Sequence, residues 1–347
     1  YFTKLKTLHC NFGELETLDI SKNTELVYLQ CYYHKLTTLD VSMLTKLQEL
    51  RVQGNKLTSL DVSKNTALKE IDCDANQLTN LDVSKNTALV GLYCYNNKLT
   101  SLDVSKNTAL TKLHCQNNQL ETLNVNSNTA LVSLKCNGNK LSMLDISKNT
   151  NLTEVVADNQ NLGVLPLHYN SSSAKYVNTA KVSGDVVRQF ASNAGLYSNS
   201  GMTTALSGFS LQNNLVTATA TTTGSGTAYF KSVLNSTNGW NLSGSFNYIL
   251  PGYIDVNAAK ALTSVDGLLS YFNMSSGTVT CSNYATIKAG TPGQYSVTIT
   301  SGSTTYNSVI EVGVTINSTN FPDTNFQTYI SDKIDTGEKD GFLTSSE

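Results

Sequence analysis

Apolar residues in the first half of the chain fall on one long beat. Leu5, Leu26, Leu47, Leu68, Leu89, Leu110, Leu131 and Leu152 stand 21 residues apart, each opening a unit close to L-x-x-L-x-C-x-x-N-x-L-x-x-L-D-V-S-K-N-T-x. One full copy runs from Leu68 through Ile71, Cys73, Asn76, Leu78, Leu81, Asp82 and Val83 to Thr87. Units of this size cannot each bury a core alone, but stacked they share a continuous one, so a fixed period predicts a solenoid. The segment L-x-C alternates with period two, which predicts a short strand with leucine and cysteine pointing inward and the middle residue outward. Asparagine three residues after the cysteine (Asn55, Asn76, Asn97, Asn118 and Asn139) marks where the strand bends away. A buried amide there can satisfy backbone groups of successive coils. Gly13, His34 and Gln160 replace it in the outer coils. The rest of the unit is too short for a crossover helix. An irregular or briefly extended back face is expected, with Leu78, Leu81, Val83 and their equivalents turned inward.

Six of the seven cysteines lie on the same beat: Cys10, Cys31, Cys73, Cys94, Cys115 and Cys136. Val52 is the one miss within the series, and Ala157 ends it. Metal sites commonly draw cysteines in pairs two to four residues apart, and no such pair occurs, so the series reads as structural. In-register neighbours in a parallel sheet lie about 4.8 Å apart, within disulfide range. Each cysteine, however, would face two equivalent neighbours with parallel side chains. A buried thiol serving as a small hydrophobe is the simpler account.

The unit closely resembles the leucine-rich repeat, in particular the 21-residue form with a cysteine ladder found in internalin-J-like bacterial surface proteins. The resemblance covers residues 1–165, about eight coils. It implies a curved solenoid with parallel strands on its concave side and free ladder thiols in the core. It also implies adhesion to host or community molecules, at an extracellular bacterial cell surface.

After Val164-Leu165-Pro166-Leu167 the period stops, and Thr-, Val- and aromatic-rich runs take over, at Leu215 to Thr221, Thr227 to Val233 and Leu242 to Leu250. Gly224-Ser225-Gly226 and Asn238-Gly239 separate them. A second series follows Pro251-Gly252, with Gly277 to Cys281, Gly293 to Ser301 and Ser308 to Ile316. Short strands between frequent turns predict antiparallel sandwiches. The alternating Gly293 segment resembles a strand of an immunoglobulin-like module. The expected fold class is therefore mainly β: a leucine-rich-repeat solenoid at 1–165, then immunoglobulin-like β-sandwich modules at 166–250 and 251–317. In residues 318–347, Phe326, Tyr329, Ile330 and Ile334 have helical spacing. The segment resembles the helical cap that opens leucine-rich blocks in Bacteroides-type multidomain surface proteins, and would start another repeat block.

A net charge of −2 and a pI near 6.1 leave no basic face for nucleic acid, and no apolar run approaches a membrane span. The second half is rich in Ser, Thr, Asn, Gly and Tyr, as exported bacterial β-domains commonly are. Catalysis is not expected. No nucleophile motif accompanies His9, His34, His114 and His168, and His9 and His114 lie five coils apart in one outward column. Asp72 and Asp74 read as exposed carboxylates on a strand face, outside any cleft.

Packing leaves the outward columns of the strands free to vary, so function is sought there. Tyrosines gather at Tyr28, Tyr32 and Tyr33 and again at Tyr93 and Tyr95, with an acidic strip of Glu49, Glu70, Asp72 and Asp74 between them and Arg51 alongside. Tyrosine and arginine are enriched at binding hot spots, which makes these ten residues the candidate ligand-binding set. The partner expected is a host or community surface protein or a glycan. The alternatives are a purely structural spacer or surface-layer element, or a glycan-capture accessory in nutrient uptake. The aspartate column from Asp19 to Asp145 lacks the glycine-rich turns of a calcium roll and is expected to cap backbone N–H groups. No cofactor is expected. The one calcium candidate is the tail around Asp335, Asp340 and Glu347, which resembles an EF-hand loop carrying one extra residue and Lys339 among its ligands.

Overall fold

In a computed structural model, the described residues are 2–166, 168–170, 175–177, 189–207, 209–212, 215–219, 225–249, 252–272, 274–315 and 342–343. They fall into two compact units, the first Tyr1–Leu162 with Lys231–Gly244 and the second Gly163–Phe230 with Ser245–Glu347.

The first unit is the solenoid. Its rungs are β1 (Thr7–His9), β2 (Tyr28–Gln30), β3 (Glu49–Arg51), β4 (Glu70–Asp72), β5 (Gly91–Tyr93), β6 (Lys112–His114), β7 (Ser133–Lys135) and the start of β8 (Glu154–Pro166). Neighbours pair in parallel and in strict register, as in Leu50↔Ile71 and Leu92↔Leu113. The expected coils are thus eight rungs joined by about seven turns of 21 residues. Leu29, Leu50, Ile71, Leu92, Leu113 and Leu134 are fully buried, as are Leu78 and Val83 of the back face, with Leu81 at 3% exposure. The back face has no regular element and consists of paired turns over the S-K-N-T segment.

Hydrogen-bond spines run through this core. Asn76 Nδ2 donates to Val52 O one coil back at 3.0 Å and to Cys73 O at 3.1 Å, while its Oδ1 accepts from Leu57 N–H at 2.9 Å. The sequence reading missed a second spine. Asn65, Asn86, Asn107 and Asn149, the asparagines of S-K-N-T, and Asn128 of the N-S-N-T variant are buried to 3% exposure or less. Asn86 Nδ2 donates to Val62 O at 3.0 Å and to Asn65 O at 2.9 Å, closing the back turns as the first spine closes the front. Aspartate does what the turn chemistry predicts: Asp82 Oδ1 accepts from Ser84 N–H at 2.8 Å, and Asp19, Asp40, Asp61, Asp103 and Asp145 do the same one coil after another.

Past β8 the solenoid sheet continues onto the strand that begins at Trp240. Gly244 lies so close to the last rung that a Cβ there would meet the Gln160 carbonyl oxygen and come within 2.6 Å of Gln160 Cβ. That backbone approach needs glycine.

In the second unit, Phe209–Gln212, Leu215–Thr219, Lys175–Val177 and His168–Asn170 form an antiparallel sheet in that order. The buried Phe190 packs ring to ring against Phe230 and Phe246, at 5.2 and 5.7 Å. Residues 252–315 depart from the expected sandwich. Gly252–Asp255, Thr304–Thr315, Gly293–Ser301 and Thr278–Thr280 make a single sheet, with Gly252–Asp255 parallel to its neighbour. Among the described residues, the short helices Val256–Lys260 and Tyr284–Lys288, the 3-10 helix Val265–Phe272 and the turn at Leu262, rather than a second sheet, supply Ala259, Leu262, Leu268, Phe272 and Ile287 to its core. Alternation on the strands identifies a half-buried sheet, but not what covers it. Cys281 is a free thiol, partly buried against this core. The cap-like helical spacing of Phe326 to Ile334 lies outside the described residues, as do Asp335, Asp340 and Glu347 of the calcium candidate.

Candidate binding face of the solenoid

Every rung leaves its strand through a left-handed residue. Phe12, Tyr33, Gly54, Ala75, Asn96, Asn117, Gly138 and Asn159 all have φ between 50° and 66°. Glycine and asparagine tolerate that conformation, whereas a bulky aromatic there is strained by about 1–2 kcal/mol. Phe12 and Tyr33 accept the strain and remain 73% and 52% exposed. Their rings stack at 5.4 Å with an interplanar angle of 17°, and Tyr32 meets both edge-on at 5.3 and 5.6 Å. Gly54 makes room for Tyr33, since a Cβ on it would run into the ring. The structure therefore joins Tyr32 and Tyr33 to Phe12, which the sequence reading did not include. The column from Phe12 to Asn159 is regular in the sequence, and its glycines and asparagines signal a left-handed turn. Tyr28, 42% exposed, opens β2, four residues before Tyr32.

The acidic strip is tied together on β3 and β4. Arg51 Nε lies 2.7 Å from Glu49 Oε1 and its Nη2 donates to Glu70 Oε1 at 2.9 Å, while Gln30 Nε2 donates to Glu49 at 3.2 Å. Asp72 and Asp74 overturn one expectation. Asp74 is only 5% exposed and Asp72 is half-buried. Tyr93 stands beside Asp72 in the register of the next strand, and the Tyr95 hydroxyl is near enough to Asp74 to feel its charge. Burial, and then the Asp74 carboxyl beside it, push Asp72 up to about 8. Burial followed by the Asp74 charge drives the Tyr95 hydroxyl upward, and burial followed by Glu70 does the same to Tyr93.

Tyr93 continues into a third group. Its ring meets His114 edge-on at 5.0 Å, and His114 Nε2 lies 2.9 Å from Ser133 Oγ. Ser133 Oγ donates to Glu154 Oε2 at 2.7 Å, and Lys135 pairs with Glu154 at 2.8 Å. Histidine, serine and glutamate are all present, but the carboxylate holds the hydroxyl instead of orienting the imidazole, so the serine is not activated as a nucleophile. Burial, then the Lys135 charge, lower the His114 pKa. All ten candidate residues thus lie on β2–β5 or their exits, Tyr28, Tyr32 and Tyr33 at the aromatic end and the rest around Arg51, Asp72 and Tyr95.

The ladder thiols are free. Cys73, Cys94, Cys115 and Cys136 are fully buried, and burial raises their thiols, which suppresses thiolate chemistry. Among the described residues, the one group of three metal-ligating side chains is Cys10, Cys31 and His34.

No protein-family model matches the chain, and no curated protein does. Among solved structures, it is similar to the functional domain of InlJ from Listeria monocytogenes, which includes a cysteine ladder, at 24% identity over 72% of this chain and 67% of that one, with a TM-score of 0.38. It is similar to the Leptospira interrogans leucine-rich-repeat protein LIC12759, at 26% identity over 47% of this chain and 45% of that one, with a TM-score of 0.43. Internalin C2 of Listeria monocytogenes gives 24% identity over 45% and 71%, with a TM-score of 0.42. The chain spans less than half the length of the Leptospira protein and about two thirds of the InlJ domain.

Proposed function

We propose that this chain is a non-catalytic binding protein whose outward strand face, from β1 to β5, recognises a partner protein. One observation carries the reading: Phe12 and Tyr33 present stacked, exposed rings from left-handed positions that glycine or asparagine fills in five of the other six coils of the column, with Ala75 in the sixth. Strain kept in place by the surrounding structure is characteristic of functional surfaces. Glu49 and Glu70 share the single cation of Arg51, which leaves a net negative spot near the rings that suits a partner segment with an apolar side chain flanked by lysine or arginine. The Ser-, Thr- and Asn-rich second half and the resemblance of the repeat support an extracellular setting at a bacterial surface, where the partner would be a host or community protein.

The test uses Phe12→Asn with Tyr33→Asn, which restores the residue found at Asn96, Asn117 and Asn159. The double variant is expected to melt no lower than the parent chain while losing saturable binding to the surface proteins that the parent retains. Equal retention by both would exclude the face. A positive signal on a glycan array that disappears in the variant would redirect the reading from protein to glycan.

A further inference from the structure

The first two rungs of the ladder differ from the others in three linked ways. At Asn55, Asn76, Asn97, Asn118 and Asn139 an amide closes each coil. At the second rung an imidazole does so instead: His34 Nε2 lies 2.7 Å from Cys10 O, and Nδ1 accepts from Leu15 N–H at 3.3 Å. Gly13 fills the same column one coil earlier, and a Cβ there would come within 2.6 Å of His34 Cε1, so the ring fits because that side chain is missing. Val52 then replaces the next thiol, which isolates Cys10 and Cys31 from the run Cys73–Cys136. The outcome is a cluster in which both Sγ atoms and an imidazole nitrogen lie within 4.8 Å of one another. Cys31 is buried, whereas Cys10 is half-open to solvent. The remaining ladder pairs meet Asn97, Asn118 and Asn139, whose amides have little affinity for a soft cation.

We propose that Cys10, Cys31 and His34 bind a thiophilic divalent cation of the zinc(II) class. Two thiolates and an imidazole are a donor set that this cation takes, with water completing the tetrahedron on the open side of Cys10. Bond lengths of about 2.3 Å to sulfur and 2.0–2.1 Å to nitrogen ask the three side chains to close by at most about an ångström. Each thiol exchanges its proton, released to solvent, for a sulfur–metal bond. Two thiolates then neutralise the two positive charges, and no net charge is buried. The imidazole nitrogen that turns to the cation gives up one backbone contact, and water can replace the longer one, at exposed Leu15. Both thiols must give up their protons to the solvent for the cation to bind, so uptake strengthens as pH rises.

The test titrates the reduced, metal-stripped full chain with zinc against a chromophoric chelator, and with cobalt(II) to read sulfur-to-metal charge transfer. One equivalent is expected to bind, with a cobalt spectrum of mixed sulfur and nitrogen ligation. His34→Asn and Cys10→Val install residues that other coils hold at these positions. Each should keep the circular dichroism and melting temperature of the unloaded parent while losing about tenfold or more in zinc affinity. Cys115→Val should bind as the parent does. The absence of stoichiometric uptake, or zinc binding by His34→Asn as tight as the parent's, would overturn the proposal.

Discussion

The solenoid and residues 252–315 are both built of strands around apolar cores, but their contacts are spaced along the chain in opposite ways. In the solenoid one interval serves throughout: Asn55 reaches Cys31 across 24 residues, Asn76 reaches Val52 across 24, and Asn97 reaches Cys73 across 24. In residues 252–315 no single interval serves the sheet: the antiparallel pairs widen from the Ser301↔Thr304 turn to Gly293↔Val312, and the parallel pair at Gly252↔Ile310 reaches farther still. A periodic chain displays its tertiary contacts in its sequence, because whatever follows one leucine follows the next. An aperiodic sheet displays only its alternation. The first should also yield to damage one coil at a time, and the second as a whole.

The sharpest test of that contrast is a pair of core truncations. Phe272→Ala should cost about 3–5 kcal/mol and Leu92→Ala about 2–5 kcal/mol. Hydrogen exchange should then rise across all of 252–315 in the first variant and mainly across β4–β6 in the second. Uniform opening of the solenoid in Leu92→Ala would refute the comparison. Next in size is Asn86→Ala, which strips a donor from the buried carbonyls of Val62 and Asn65 at about 1–3 kcal/mol apiece, read by chemical denaturation. Gly244→Val should cost about 1–3 kcal/mol by overpacking and loosen the strand from Trp240 against Gln160, seen as faster exchange at its amides.

Two sets of aspartates within the solenoid give smaller effects of opposite sign. Asp72 has a folded pKa raised from 3.8 to about 8, so its stabilising contribution is complete below 3.8 and is lost as pH rises through 8. Asp72→Asn should therefore melt above the parent at pH 8 and level with it at pH 4. Asp82 and its column are held below 3.8, chiefly by the Ser84-type N–H groups. Their contribution is present above 3.8 and disappears as pH falls further. Asp82→Asn should narrow the parent's acid loss slightly, and a steeper acid loss in the variant would contradict the capping role.

Legibility in the sequence follows the same divide. The rungs, the inward leucines, the front asparagine spine and the outward columns could be read because each repeats, and Asn76 explains Asn97. The back spine was equally periodic but went unread, because S-K-N-T resembles an ordinary polar turn and nothing local says that Asn86 is fully buried. Asp72 and Asp74 stand deeper than expected because burial on a strand face depends on the neighbouring coils, which a face read one column at a time omits. The strand Gly293–Ser301 was found to the residue, while its covering helices were not, since Val256–Lys260 and Tyr284–Lys288 are too short to show a helical period. Phe12 was passed over because it lies just beyond the alternating segment, at a position whose meaning is conformational.

The two asparagine spines also bear on how such a chain can change over generations. Each amide is satisfied by the coil before it, and the coil after it presents the same groups again. Excising residues 77–97 would join Asn76 to Lys98 where Gln77 stood, with Leu99 taking the place of Leu78. The interior would register no difference, but the outside would lose Tyr93 and Tyr95 in one stroke. Copying errors between repeats therefore act as edits to the exposed text of this protein and leave its binding intact, in the bookbinder's sense of the word.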